Sequence, residues 1–352
     1  MLRPSGPPSE AGAAVNRVGP LSVRWRPRVV AGLAAGTLLL FLLVCVDLAR
    51  GDYSIPLPHV VRTLTGSGTR AEHFVIFESR LPRVLTAAVV GVALGLSGSI
   101  TQSVLRNPLA APDMLGITAG AGFAATAAVV TGSAGALGVP AAALAGGLVT
   151  AGGIYLLAWR NGVDGLRIVL IGIGVNAALT AGIGWLLVQA RLTDVVRAEA
   201  WLNGSLDETS WDRVVPVVIG VGAAAVLALS RAHALAALRF GADTARSLGV
   251  AVHRDQALLL LAAVTAAAFA TAAAGLVVFV ALAAGQLARR VLRTAGEPLA
   301  GSALVGAILL VGSDIVARTL LPRPLPVGVV TAALGAPFLL YLLVRANRKA
   351  SS

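Results

Sequence analysis

Charge is scarce in this chain. Only 12% of its 352 residues are Asp, Glu, Lys or Arg, against about 25% in an ordinary soluble domain. There is a single cysteine, Cys45, inside an apolar run, which excludes a disulfide framework and a cysteine zinc cluster. The four histidines, at positions 59, 73, 233 and 253, are scattered without metal-ligand spacing. No Gly-x-x-x-x-Gly-Lys-Ser/Thr loop is present, so the chain has no phosphate cradle with which to hydrolyse ATP itself. His-Glu-x-x-His, Gly-x-Ser-x-Gly and clustered acids within apolar runs are missing too, which leaves a membrane enzyme without visible chemistry. Gly172–Ala177 fits the pattern Gly-x-Gly-x-x-Ala, but it lies inside an apolar span with no strand before it. Helix packing accounts for it better than a dinucleotide.

What is present is apolar: 57% hydrophobic residues, a mean hydropathy of +0.85 and 40 glycines. This is the composition of a polytopic membrane protein whose helices pack through small residues. The net charge of +12 is read as basic loops that set orientation, not as a nucleic-acid footprint.

The chain is organised around Arg80–Gly116. After Arg80-Leu81-Pro82-Arg83, the run Val84–Leu105 holds 22 residues without a charge, and about 20 suffice to cross a bilayer core. Gly91 and Gly95, four apart, allow a neighbouring helix to approach closely. Further apolar spans are expected at about 29–46, 113–131, 137–158, 166–190, 214–230, 257–274, 275–292, 299–317 and 325–344, for ten in all. Residues 1–28, rich in Pro, Gly, Ser and Arg, read as a disordered basic cytoplasmic tail, and 346–352 as a second tail. Residues 29–345 form the membrane domain, with a loop at 191–213 and a polar segment at 231–256. With both termini inside, eighteen Lys and Arg fall on the inner side and ten on the outer, in agreement with the positive-inside rule. An internal echo joins Val104-Leu105-Arg106 with Val291-Leu292-Arg293; each triplet is followed by a Pro-Leu-Ala.

Few polar residues lie within spans. Asp314 is the one deep acid of the later spans. Its cost in lipid, about 2.5–3.5 kcal/mol on the insertion scale, is lowered by pairing with Arg318 one turn on; structural pairing outweighs proton coupling here. Gln102, Asn176, Gln189 and Gln286 are explained by interhelical hydrogen bonds or by a path for a bulky polar substrate. Segment 231–256 reads as two short helices, Ala234–Phe240 and Thr244–Leu248, broken at Gly241 and Gly249. Such pieces suit docking onto a soluble partner.

The sequences RLPR, RNPLA–PD–LG, LRFGADTARSLGV, the Trp201–Trp211 loop, GLVVFVALAAGQLARR, LVGSDIVAR and LPVGVVTAALGAPFLLYLL together resemble the FecCD-type permeases, the membrane subunits of ABC importers for ferric siderophores, haem and vitamin B12. The form of 275–290 is more similar to the enterobactin-type members. The resemblance implies an all-α permease that translocates a ferric siderophore, with no cofactor of its own. Its partners would be two ATPase subunits carrying ATP and magnesium, an extracytoplasmic binding protein, and a second permease, identical or paralogous. By the same resemblance, Arg80 and Arg318 dock the binding protein as exposed cations. Leu238, Phe240, Gly241, Ala245, Arg246, Leu248 and Gly249 would couple to the ATPase. Gln102, Asn176 and Gln286 would line the path. Gly285-Gln286 replaces the family's frequent Pro-His and removes a kink. Vitamin B12, haem or another metal chelate is the alternative cargo, and a proton-coupled transporter using Asp314 the alternative of another class.

Overall fold

The computed structural model describes residues 14–18, 21–25, 27–51, 55–133, 138–159, 165–207, 209–294, 296, 298–320 and 324–350. Residues 160–164 and Arg323 lie outside them. Near the N-terminus, Ala14–Val18 (β1) pairs antiparallel with Leu21–Trp25 (β2). Val15, Val18, Val23 and Trp25 favour strands, and residues 1–13 of the expected tail lie outside the described residues.

Among the described residues, the regular elements after the hairpin are all helices. The helices are α1 Pro27–Ala49, α2 Leu57–Leu64, α3 Arg70–His73, α4 Leu81–Val104, α5 Ile117–Thr131, α6 Gly138–Ala158, α7 Gly165–Gln189 and α8 Leu192–Leu202. They continue as α9 Trp211–Ser230, α10 Ala232–Leu238, α11 Ala242–Ser247, α12 Val252–Ala274, α13 Val280–Leu292, α14 Leu299–Ile315 and α15 Val327–Ala350. A π-helical turn at Phe74–Arg80 joins α3 to α4, and another extends α14 over Val316–Leu320. Among the described residues, seven helical stretches are long and apolar enough to cross a membrane, and two shorter apolar ones are Ile117–Thr131 and Val327–Leu340.

Helix α4 is the central post. Pro82 sits in its first turn, where a missing N–H costs nothing, and most of its residues are buried. Gly91 and Gly95 face α14 as their spacing predicts: a Cβ on either would run into the Gly306 or Ser302 carbonyl, and one on Gly98 into that of Ala281. The helix ends on Arg106 in a left-handed conformation (φ 50°), and α13 ends on Arg293 in the same one (φ 49°). Non-glycine residues are uncommon there. The echo seen in the sequence is thus a repeated helix stop.

Two expectations change. The loop 191–213 contains α8, whose Leu192, Val195, Ala198 and Leu202 recur at helical spacing. The expected span 275–292 is helical only from Val280. Gly275 (φ 69°) and Phe279 (φ 69°) hold Gly275–Phe279 out of the helix, and the Trp201 carbonyl lies where a Cβ of Gly275 would stand. At 13 residues and about 1.5 Å per residue, α13 is too short to span a bilayer alone.

Contacts between loops sort the helix ends into two faces. One, the far face, carries the ends at Asp47–Leu48, Phe77–Arg83, Trp201–Trp211, Ala274–Leu276 and Asp314–Arg318. The other, the tail side, gathers Leu105–Met114, α10, α11, Leu292 and Gly296.

Candidate functional site

The far face is tied together by charge. Arg83 grips Asp314 with two hydrogen bonds, Nε to Oδ2 at 2.9 Å and Nη2 to Oδ1 at 2.7 Å, and donates Nη1 to Asp207 at 2.6 Å. Arg318 pairs with Asp47 and stands 3.2 Å from Asp314, though its Nε is not aligned as a hydrogen-bond donor. Arg80 is 6% exposed and donates Nη1 to the Leu48 carbonyl at 2.6 Å. The sequence places Arg80 and Arg318 on one face correctly, but as exposed cations they are corrected: both guanidinium groups are turned into the protein. The expected Asp314–Arg318 pair forms, yet the stronger partner is Arg83. That pairing spans 231 positions and left no local signal beyond the second arginine of RLPR.

Asp207 belongs to the strap between α8 and α9, and its backbone N–H and one carboxylate oxygen are held by the Ser205 hydroxyl. Partial burial acts to raise its pKa. Hydrogen bonds from Arg83 and Ser205, with the arginine's charge, outweigh that and hold the carboxyl below the usual range. The strap is pinned at both ends: Gly328 N–H donates to the Gly204 carbonyl, and Trp211 Nε1 to the Phe77 carbonyl. Beneath it lies a cavity of about 590 Å³ lined by Arg197, Trp201, Ser205, Thr209, Arg213 and small residues of α5, α6 and α12.

The three polar residues expected along a path do not meet. Gln102 is buried and donates Nε2 to the Leu282 carbonyl at 3.0 Å. Gln286 donates to Gln102 Oε1 at 3.4 Å and to the Pro108 carbonyl at 3.2 Å. These two amides therefore clamp α4, α13 and the 105–111 turn, and the helix is continuous through Gly285. Asn176 is elsewhere. It stands exposed on α7, whose buried residues are only Ile168 and Gly172, among Gly174, Ala177, Thr180 and Ala181.

On the tail side, α10 and α11 fall where two short helices are expected, broken at Gly241 (φ 102°) and Gly249 (φ 79°). Leu238 and Ala245 are buried against the bundle, whereas Phe240 is 71% exposed and Leu248 57%. Arg246 lies between them in sequence, exposed and bonded to Asp243 at 2.7 Å. The arrangement presents two apolar side chains and a cation on a rigid knuckle. Among the described residues no group of three or more His, Cys, Asp or Glu is placed to hold a metal.

The model of the FecCD transport family matches residues 38–345. The chain is 41% identical over 322 residues to the ferric enterobactin transport system permease protein FepG of Escherichia coli strain K12, covering 89% of this chain and 97% of that one. It is 36% identical over 334 residues to the iron(3+)-hydroxamate import system permease protein FhuG of Bacillus subtilis strain 168, covering 92% and 98%. Among solved structures, an inward-facing metal-chelate type ABC transporter superposes with a TM-score of 0.78 at 27% identity, over 91% of this chain and all of that one. Multiple apolar helices, a far face and a tail-side knuckle thus belong to a membrane permease of the ABC-importer kind, and the chain is a member of the FecCD transport family.

Proposed function

We propose that this permease carries a ferric siderophore across the cytoplasmic membrane as ten spans with both termini cytoplasmic, counting Gly275–Leu292 as a broken span. The observation that carries the cargo class is the 41% identity to a ferric enterobactin permease over nearly its whole length. On this reading the far face receives an acidic extracytoplasmic binding protein at the cluster of Arg80, Arg83 and Arg318, where Arg83 has the most exposed internal partner, Asp207. Two ATPase subunits seat on Phe240, Arg246 and Leu248. The open face of α7, with Asn176 amid small residues, packs against a second permease, and the chelate passes between the two. A polar side chain in a span that this chain leaves uncovered is best accommodated by a partner helix or an aqueous path. Closure of the ATPases pushes on α10–α11, and the Gln102–Gln286 clamp passes that motion to α4 and α13. Asp314 is engaged by Arg83 and Arg318, a structural pairing that disfavours the proton-coupled reading.

The test is purification from the native host in mild detergent, followed by reconstitution with the co-purifying subunits. ATP-dependent uptake of a ferric catecholate or hydroxamate is expected, with cobalamin excluded. A single chain that transports under a proton gradient without ATP would overturn the importer reading; uptake of cobalamin alone would overturn the cargo.

A further inference from the structure

The segment between α1 and α4 on the far face contains a short helix that this chain covers on one side only. At about 100° per residue, the apolar residues of α2 sweep an arc of about 160° in the order Thr63, Val60, Leu64, Leu57, Val61; Pro58, Arg62 and His59 occupy the opposite side. Half of the apolar arc is satisfied within the protein. Val60 and Thr63 are buried, Val60 in one cluster with Leu48, Ile55, Ile76 and Val84. The other half is not: Leu57 is 50% exposed, Val61 60% and Leu64 45%.

This stripe is held, not trailing. His59 Nδ1 bonds Glu72 Oε1 at 2.8 Å, and Thr69 with Glu72 forms a reciprocal capping box at the start of α3. Thr63 Oγ1 donates to the His59 carbonyl at 2.8 Å, and Ser67 N–H to the Arg62 carbonyl at 2.8 Å. The His59–Glu72 bond ties α2 to α3, and the local bonds hold its last turn in shape. Its place is equally fixed. Val60 shares a buried cluster with Leu48, at the far end of α1, and α1 exposes Leu38, Leu39, Phe41, Leu42 and Val46 before that point. Because the chain is a membrane permease, that exposed run is the lipid boundary of α1, and α2 packs against the same helix. Phe74, in the turn that joins α3 to α4, is exposed as well, and so are Arg62 and Arg70.

We propose that α2 is an in-plane membrane helix: its Leu57–Val61–Leu64 stripe lies in the acyl-headgroup boundary of the outer leaflet, with Arg62 and Arg70 on the aqueous side and within reach of anionic phospholipid headgroups. An apolar face against a cationic one is how helices lie in an interface, and arginine stems cover apolar surface while their heads reach phosphate. The arrangement uses lipid to hold the first far-side loop in the register that the His59–Glu72 bond sets.

The experiment places single cysteines in a Cys45→Ala background of the full-length permease, at Leu57, Val61 and Leu64 and, on the other side, at His59 and Arg62. Each is spin-labelled in nanodiscs containing phosphatidylglycerol. Collision with oxygen and with a water-soluble nickel chelate is then measured with and without the extracytoplasmic binding protein. Labels at 57, 61 and 64 are expected to show a several-fold higher oxygen-to-nickel ratio than those at 59 and 62, whether or not the soluble partner is present. Equal nickel access at all five sites would overturn the proposal. So would a stripe shielded only after the binding protein is added, which would make it a protein-docking surface. Because five positions are compared in one helix, a label that perturbs one site leaves the periodic pattern readable.

Discussion

Replacing Asp314 by alanine removes the carboxylate that receives two hydrogen bonds from Arg83 and stands 3.2 Å from Arg318. Asp314 is fully buried, so the loss is not repaired by water. Arg83 keeps Asp207 and Arg318 keeps Asp47, but the two N–H groups of Arg83 aimed at Asp314 are left facing an apolar gap. Breaking one side of a buried pair costs about 3–5 kcal/mol. With about 2.1 cal/mol/K of unfolding entropy per residue and 352 residues, that corresponds to a fall of about 4–7 °C in the unfolding temperature. Tryptophan fluorescence during thermal unfolding in one detergent at one scan rate reads it. The double variant Asp314→Leu with Arg83→Met exchanges the pair for apolar side chains, and it should lose less than Asp314→Ala alone, because no charge is then stranded. A shift under about 1 °C for Asp314→Ala, or a double variant worse than the single, would refute the account of the far face as a charge-tied lock.

Other variants probe other elements. Gly306→Leu should separate α14 from α4, since its added side chain meets the Gly91 carbonyl; overpacking costs about 1–3 kcal/mol or more, read as a lower unfolding temperature that Gly306→Ala only partly reproduces. On the proposed coupling, Phe240→Asp and Arg246→Glu should abolish stimulation of the ATPase by loaded binding protein while the permease still unfolds at its normal temperature. For Asp207, a carboxyl held below its ordinary value stabilises the strap above the pKa it would have unfolded, and that contribution disappears as pH falls through the lowered folded value. Fluorescence of Trp201 and Trp211 should therefore report strap loosening only on the acid side of the normal carboxylate range, and Asp207→Asn should remove that transition.

The helical frame was legible because its signals are local. Twenty-odd apolar residues make a span wherever they sit, Gly91 and Gly95 announce a close neighbour four residues apart, and Gly241 and Gly249 mark breaks whose positive φ values require them. The far-face chemistry was not legible, because the partners of Arg83 lie 124 and 231 positions away and nothing in a single apolar sequence ranks one distant carboxylate over another. Hydropathy misled at 275–279, where Leu276, Val277, Val278 and Phe279 read as membrane helix. What overrides that pattern is tertiary: the Trp201 carbonyl and Gly204 press against Gly275, and Phe279 is held at positive φ. The α8 helix was hidden for the opposite reason. It is amphipathic, and a search for uniformly apolar runs passes over it.

Docking on the proposed reading must then be an exchange, not the capture of free cations. Arg80, Arg83 and Arg318 lie in one cluster with the carboxylates of Asp47, Asp207 and Asp314, so an incoming acidic side chain gains only the difference between its own pair and the one it displaces. Those differences are unequal. Displacing Asp314 or Asp47 would strand a buried charge, whereas Asp207 has a side chain 74% exposed and returns to water at little cost. Arg83 Nη1 is therefore where a partner carboxylate enters most cheaply. Asp207→Asn, which weakens the internal competitor, should tighten the binding protein's Kd on the nanodisc-embedded transporter by up to about fivefold, the scale of an exposed pair at about 0–1 kcal/mol. It should do so mainly at low salt, where such pairs are least screened. A weaker or salt-independent Kd in that variant would mean that Asp207 holds the docking surface together and does not compete for it.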